Sequence, residues 1–398
     1  MASGPGEWRK VARGFLPAMR RWRAAFHREP ELSNSERRTQ AKVRAALKAL
    51  GIPTTTYPGS TGVIGLLGAD RPGPVVALRA DMDGLPVAEA TGLSFRSRFP
   101  GRMHACGHDV HMACLLGAAA MLAANPDSLR GPVKLIFQPA EEEGETGGAL
   151  PLLRLGVFRK PRVDFVVGQH VTPELPVGTI GWKKGPVYAA ADRFVVRVVG
   201  RGSHAAYPHL GRDPIVVASE IVLGMQALVS RLRDPVDPAV ISVGMVHGGT
   251  RHNILPDEVT LEGTVRTLRA ETRTEMERAI RGRVRHLAES LGARAEVEYF
   301  RGYPATVNSP LATEIVVDGL TREFGERSLR ELDEPAMGAE DFSRYLERVP
   351  GTFLKLGTGR AGESEGLHTA RFAPPDEVLP VGAAALVVSS LALQRSSP

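Results

Sequence analysis

The chain has 398 residues, 43% of them hydrophobic and 24% charged, which is enough for two or three domains and excludes wholesale disorder. Lys plus Arg number 50 against 44 acids, a net charge of +6. The basic residues are scattered rather than interleaved with aromatics, so nothing marks a nucleic-acid surface.

The segment that opens the chain is rich in arginine, with Arg9, Arg13, Arg20, Arg21, Arg23 and Arg28. Glu7, Glu29 and Glu31 interrupt it and no apolar core follows, so it reads as a first helix over about 10–27 with a basic solvated face, not a targeting peptide. A second helix over about 35–50, with Ser35 as N-cap and Gly51 as stop, precedes a strand at Gly62–Leu67. Short apolar strands follow at Pro74–Arg79, Val133–Phe137 and Val163–Val167, and Val110–Ala124 reads as a buried helix. The longest apolar runs, Met112–Ala124 and Val381–Leu393, fall short of the ~18 residues of a membrane span. The two cysteines, Cys106 and Cys114, exclude a disulfide framework and point to a reducing compartment. A cytoplasmic protein with no membrane partner is expected.

Strands that alternate with helices predict an α/β domain: a mostly parallel sheet with helices on both faces, its polar clusters just past the strand ends. From about residue 190 the rhythm changes. Strands at Asp192–Val199, Ala239–Val246, Glu258–Thr267 and Arg294–Phe300 and helices at Pro214–Arg231 and Ala270–Leu291 follow the order β-α-β-β-α-β, the ferredoxin-like unit. Helix and strand signals resume after Tyr303. The expected organisation is a catalytic domain in two parts, 1–188 and 301–398, interrupted by an α+β lid over 189–300.

The chemistry concentrates at the strand ends. His104-Ala-Cys106-Gly-His108-Asp-Val-His111 places a thiol and imidazoles at a spacing that suits a borderline-soft divalent cation. Glu141-Glu142-Glu143 follows a strand and a Pro-Ala bend. Neighbouring carboxylates there point different ways, so one can ligate a metal while another works as base, a role that a ligating carboxylate fills poorly. His170 ends the next strand and His368 lies in Gly366-Leu-His-Thr. Cys106, His108, Glu142, His170 and His368 would suffice for two divalent ions, with positions left for water and substrate. No Gly-x-Ser-x-Gly elbow follows a strand, which argues against a serine hydrolase.

These motifs come in an order that resembles the M20 metallopeptidases, in particular the amidohydrolase branch of hippurate hydrolases, N-acyl-amino-acid deacylases and indoleacetyl-amino-acid hydrolases. The resemblance runs from Phe26-His-Arg-Glu-Pro-Glu-Leu-Ser through Arg79-Ala-Asp-Met-Asp, Met103-His-Ala-Cys-Gly-His-Asp and Gln138-Pro-Ala-Glu-Glu. It continues through Gly202-Ser-His-Ala-Ala-Tyr-Pro-His, Asn253-Ile-Leu-Pro-Asp, Gly338-Ala-Glu-Asp-Phe and Gly366-Leu-His. It implies a two-domain fold, often dimerised through the lid, with the five ligands just named and Glu141 as general acid/base. On the lid it implies an oxyanion role for His204 and places Asn253 and Arg266 near the substrate's carboxylate. Two positions depart from the pattern. Arg79 stands where other branches carry a ligating His, so Asp81 and Asp83 are read as supporting the ligands rather than joining them. Glu143 stands where relatives often have Gly, so the pairing of Glu141 and Glu142 rests on the Pro-Ala-Glu-Glu match.

The resemblance implies hydrolysis of small N-acyl-amino acids by two divalent ions per subunit (Mn²⁺ or Zn²⁺, with Co²⁺ or Ni²⁺ possible), in a homodimer. The rival readings are a dipeptidase or carboxypeptidase on the same site, and a metal-containing protein that binds acyl-amino acids without turnover.

Overall fold

The computed structural model describes residues 6–360 and 365–396, which divide into two compact units. The first comprises Met1–Val187, Val307–Glu334 and Asp341–Pro398; the second comprises Tyr188–Thr306 and Pro335–Glu340.

An eight-stranded sheet forms the first unit. Val76–Asp81 runs parallel to Val133–Gln138 on one side and to Phe165–Pro176 on the other, which in turn pairs in parallel with Gly351–Gly359. Val63–Leu67 joins antiparallel at Val133–Gln138, so the sheet is mixed at its margins and parallel at its centre. The central strands Val76–Asp81 and Val133–Gln138 are buried at every residue, including their polar members Arg79, Asp81, Lys134 and Gln138. The long helices Glu7–His27, His108–Ala124, Pro310–Phe324 and Val378–Leu393 share the main hydrophobic core. His108–Ala124 and Val378–Leu393 are buried almost all round, which explains why their sequences carry no polar face. On the other side of the sheet Phe342 packs against Phe353 and stands within cation–π range of the Arg79 guanidinium.

The second helix starts later than its sequence signal, at Arg37, with Glu36 and not Ser35 as N-cap. An acid from outside the helix caps it: Glu31 accepts the amides of Arg38 and Thr39, the second and third residues of the helix. Glu36 is thereby free to bond elsewhere.

The second unit is a four-stranded antiparallel sheet in the order Ala239–Gly248, Glu258–Thr267, Ala190–Val199, Arg294–Arg301. Helices Pro214–Leu232 and Ala270–Ser290 pack into its core through Val217, Ile221, Met225, Ile280 and Val284. Pro214–Leu232 is long and apolar enough to cross a membrane by length and composition alone, which a count of consecutive apolar residues misses. Its Val217, Ala218, Ile221, Met225 and Leu228 lie in this core.

Candidate metal centre

The polar cluster of the first unit is built at the carboxyl ends of its parallel strands, where the peptide chain turns sharply and side chains from separate segments converge. Gly107, at φ 84°, is the N-cap of helix His108–Ala124. A Cβ there would meet Val171 Cγ2 at 2.5 Å, so only glycine lets the chain turn here against that strand and set Cys106 and His108 on either side. Ala140 (φ 55°) and His368 (φ 63°) are the other left-handed residues at the site. Both are non-glycine, the kind of backbone strain that persists where surrounding bonds over-determine it. For Ala140 those bonds are visible: its amide is held by Glu36, and the amide of Glu142 by Asp83 Oδ2. Burial pushes Glu36 up to about 6.

Two triads able to hold an ion share one sulfur: Cys106, His108 and His170 form the first, and Cys106, Glu142 and His368 the second. Cys106 Sγ lies 3.3 Å from His170 Nε2 and 3.3 Å from His368 Nε2. Glu142 Oε1 lies 3.3 Å from His368 Nε2 and 3.8 Å from His108 Nε2. Ligands at about 2.0–2.3 Å around a tetrahedral ion are separated by about 3.3–3.8 Å, so these spacings are those of a ligand shell. The hydrogen bonds agree. His108 Nδ1 donates to the Asp83 carbonyl at 2.8 Å and His170 Nδ1 to the Val171 carbonyl at 2.6 Å, which turns Nε2 of each ring toward the cluster. His108 Nε2 and Glu142 Oε1 are buried without hydrogen-bond partners. A cation would satisfy both.

The electrostatics favour the same occupant. Burial opposes charge on His108, but Asp81, Asp83 and Glu142 outweigh it and raise its pKa to about 10. Burial, reinforced by Glu142 and Glu141, holds the Cys106 thiol well above the ordinary range. A site so rich in carboxylate draws positive charge, and a divalent cation would displace the thiol proton as it binds. Glu141 is buried at 7% exposure and joins His108 and Glu142 in a further cluster.

His111, in the same motif, sits beside this shell but is not available to it. Its Nδ1 lies 2.6 Å from Asp81 Oδ1 and its Nε2 accepts the Val171 amide at 3.0 Å, so both ring nitrogens are engaged. Sequence reading counted His111 in the cation motif and did not single out Glu36; their actual partners lie 30 to 104 positions away.

The remaining candidates belong to the second unit. His204 pairs with Ile254 in a two-stranded ribbon that also bonds the Ala205 amide to the Asn253 carbonyl, so His204 and Asn253 are neighbours. His204 Nδ1 accepts the Ala206 amide at 3.1 Å, which leaves the neutral ring's proton on Nε2. Arg266 lies on strand Glu258–Thr267, half-buried, with its pKa lowered by that burial. Glu262, on the same strand, pairs with Arg193 at 2.7 Å.

The model for peptidase family M20/M25/M40 matches residues 77–389, and the chain belongs to that family. Thermostable carboxypeptidase 1 of Saccharolobus solfataricus is 41% identical over 369 residues, which cover 91% of this chain and 92% of that protein. The N-acetyl-L-cysteine deacetylase of Bacillus subtilis is 40% identical over 350 residues, 87% of this chain and 82% of that protein. Among solved structures, the YXEP protein of Bacillus subtilis, described as a dinuclear metal binding peptidase, superposes with a TM-score of 0.82 at 35% identity, covering 96% and 98% of the two chains. The chain is thus a metal-dependent amidohydrolase that acts on amide bonds.

Proposed function

We propose that the chain hydrolyses the amide bond of N-acyl-amino acids, releasing a carboxylic acid and a free amino acid. The observation that carries this reading is the pair of donor triads joined at Cys106, with Glu141 beside them. In it, Cys106, His108, Glu142, His170 and His368 would hold two divalent ions. Thiolate and imidazole donors suit Zn²⁺, and Mn²⁺, Co²⁺ or Ni²⁺ are compatible. Bound ions supply Lewis-acid polarisation of the scissile carbonyl and lower the pKa of water toward neutrality.

Glu141 takes the proton from the attacking water and returns it to the leaving amine. His204 donates from Nε2 to the developing oxyanion, a role supported by the proton its Ala206 contact leaves on that nitrogen. Arg266 and Asn253 receive the substrate's carboxylate. Arg266 suits this because a half-buried guanidinium without an ion-pair partner among the described residues presents a planar fork for that group.

The chain further reads as a cytoplasmic homodimer. Its two cysteines are free and buried. The second unit leaves Ile215, Val216 and Leu223 exposed on one helix and Met245 and Val246 exposed on its edge strand, surface that a second copy would cover.

The name of the Saccharolobus relative favours a second reading, a carboxypeptidase on the same site. Both reactions release an amino acid with a free carboxylate. Turnover of hippurate, N-acetyl-amino acids and dipeptides by metal-reconstituted protein separates them: acyl substrates ahead of peptides support the first reading, and peptides ahead overturn it.

A further inference from the structure

Asp81 stands at the metal cluster without belonging to the five ligands. Its Oδ2 is 3.8 Å from His108 Nε2, the same separation as Glu142 Oε1 from that nitrogen. A carboxylate so placed is a competitor for any cation bound there. What occupies it is a guanidinium. Arg79 Nη1 donates to Asp81 Oδ2 at 2.7 Å, and Asp81 Oδ1 is engaged by His111 Nδ1.

Arg79 is itself immobilised. It is 1% exposed, and its Nε donates to Gln138 Oε1 at 2.9 Å and its Nη2 to Asp341 Oδ1 at 2.7 Å. Asp341 is anchored in turn by Gln138 Nε2 and by the amides of Gly148 and Ala149, the two amides reaching Oδ2 at 2.9 and 3.0 Å. Three of the guanidinium's donors thus meet three different acceptors on three chain segments, a fan that the single point charge of lysine does not reproduce.

We propose that Arg79, tethered by Asp341, is a positioning residue that withholds Asp81 from the metals and so keeps coordination space open for water and substrate. Hydrolytic metal sites need such an open position, and an extra carboxylate would fill it while weakening the ions' pull on the substrate carbonyl. Asp81 meanwhile orients His111, whose Nε2 accepts the amide of Val171, next to His170 in the chain. The inference rests on the ligand assignment made under the proposed function.

The test uses full-length protein loaded with Co²⁺, read by its visible spectrum and by Co²⁺ titration. Arg79→Met alone would leave Asp341 as an uncompensated buried carboxylate, strongly destabilising by itself, so it is combined with Asp341→Asn. The double variant should show a weaker visible absorption, as the coordination number rises, together with tighter Co²⁺ binding. Its turnover should fall about 10- to 100-fold. Adding Asp81→Asn, which keeps an acceptor for His111, should restore the spectrum and affinity of the wild type. A merely structural Arg79 would give no such rescue. A double variant that binds Co²⁺ with the wild-type spectrum and affinity overturns the inference alone, as does a triple variant that stays altered. Wild-type protein that takes up no Co²⁺ sinks the ligand assignment, and the inference with it.

Discussion

In the first unit Cys106, His108 and His170 are buried, and the two imidazoles have Nδ1 fixed by a backbone carbonyl so that Nε2 faces the cluster. In the second unit His204 and Asn253 are exposed, and Arg266 is half-buried without an ion-pair partner among the described residues. The difference teaches how each kind of residue can be recognised. Buried donors must be satisfied, so their orphaned atoms point to what is missing. Exposed side chains are satisfied by water whatever they do, so only their chemistry, not their surroundings, speaks for a role.

The largest effect should come from breaking the buried side. Glu142→Gln removes a charged donor from one triad and should lose metal and nearly all turnover, measured by metal content after gel filtration. Glu141→Gln should keep its metal yet lower kcat by roughly 10²–10⁴, the usual share of general acid–base catalysis. If Glu143→Gln lost metal and Glu142→Gln kept it, the register of the pair would be off by one residue.

The exposed side is tested by Arg266→Ala. Loss of a desolvated charge partner costs about 2–5 kcal/mol, or roughly 30- to 5,000-fold in kcat/KM. That loss should appear on N-acyl-amino acids and nearly vanish on the corresponding amides, which lack the carboxylate. Equal losses on both would mean that Arg266 only supports its sheet.

A third measurement asks whether buried charge in the first unit also stabilises it. Burial works against charge on His27, but Asp109 and Glu89 overcome it and raise its pKa from 6.5 to about 9. A group whose folded pKa is raised adds stability that is full below its unfolded pKa, near 6.5, and is lost as pH rises through about 9. The shift corresponds to about 3 kcal/mol. Urea unfolding should show that decline between pH 6.5 and 9 in the wild type and a flatter profile in His27→Gln. The smallest effect is expected at the edge strand: Val246→Glu should alter stability by under about 0.5 kcal/mol, as exposed substitutions do, while size-exclusion chromatography shows a dimer become a monomer.

Much of this protein follows from local sequence. The apolar runs marked the buried helices His108–Ala124 and Val378–Leu393, and the change of rhythm near residue 190 marked the antiparallel sheet, because hydrophobic periodicity is imposed by which faces are buried. The metal motif was legible for a similar reason: ligand chemistry restricts residue type, and Cys106 and His108 lie two positions apart. Tertiary structure decided the rest. That Glu31 and not Ser35 satisfies the amides of the second helix, that Glu36 holds the Ala140 turn, and that His111 is closed off by the Val171 amide all depend on partners distant in the chain. The surroundings of the two acids near His108 are of the same kind. Asp81 and Glu142 are both carboxylates 3.8 Å from His108 Nε2, and Asp81 is bonded by Arg79, which is fastened to Asp341 262 positions away. A sequence lists the donors; which lone pairs remain free is settled only when folding has assigned a partner to all the others.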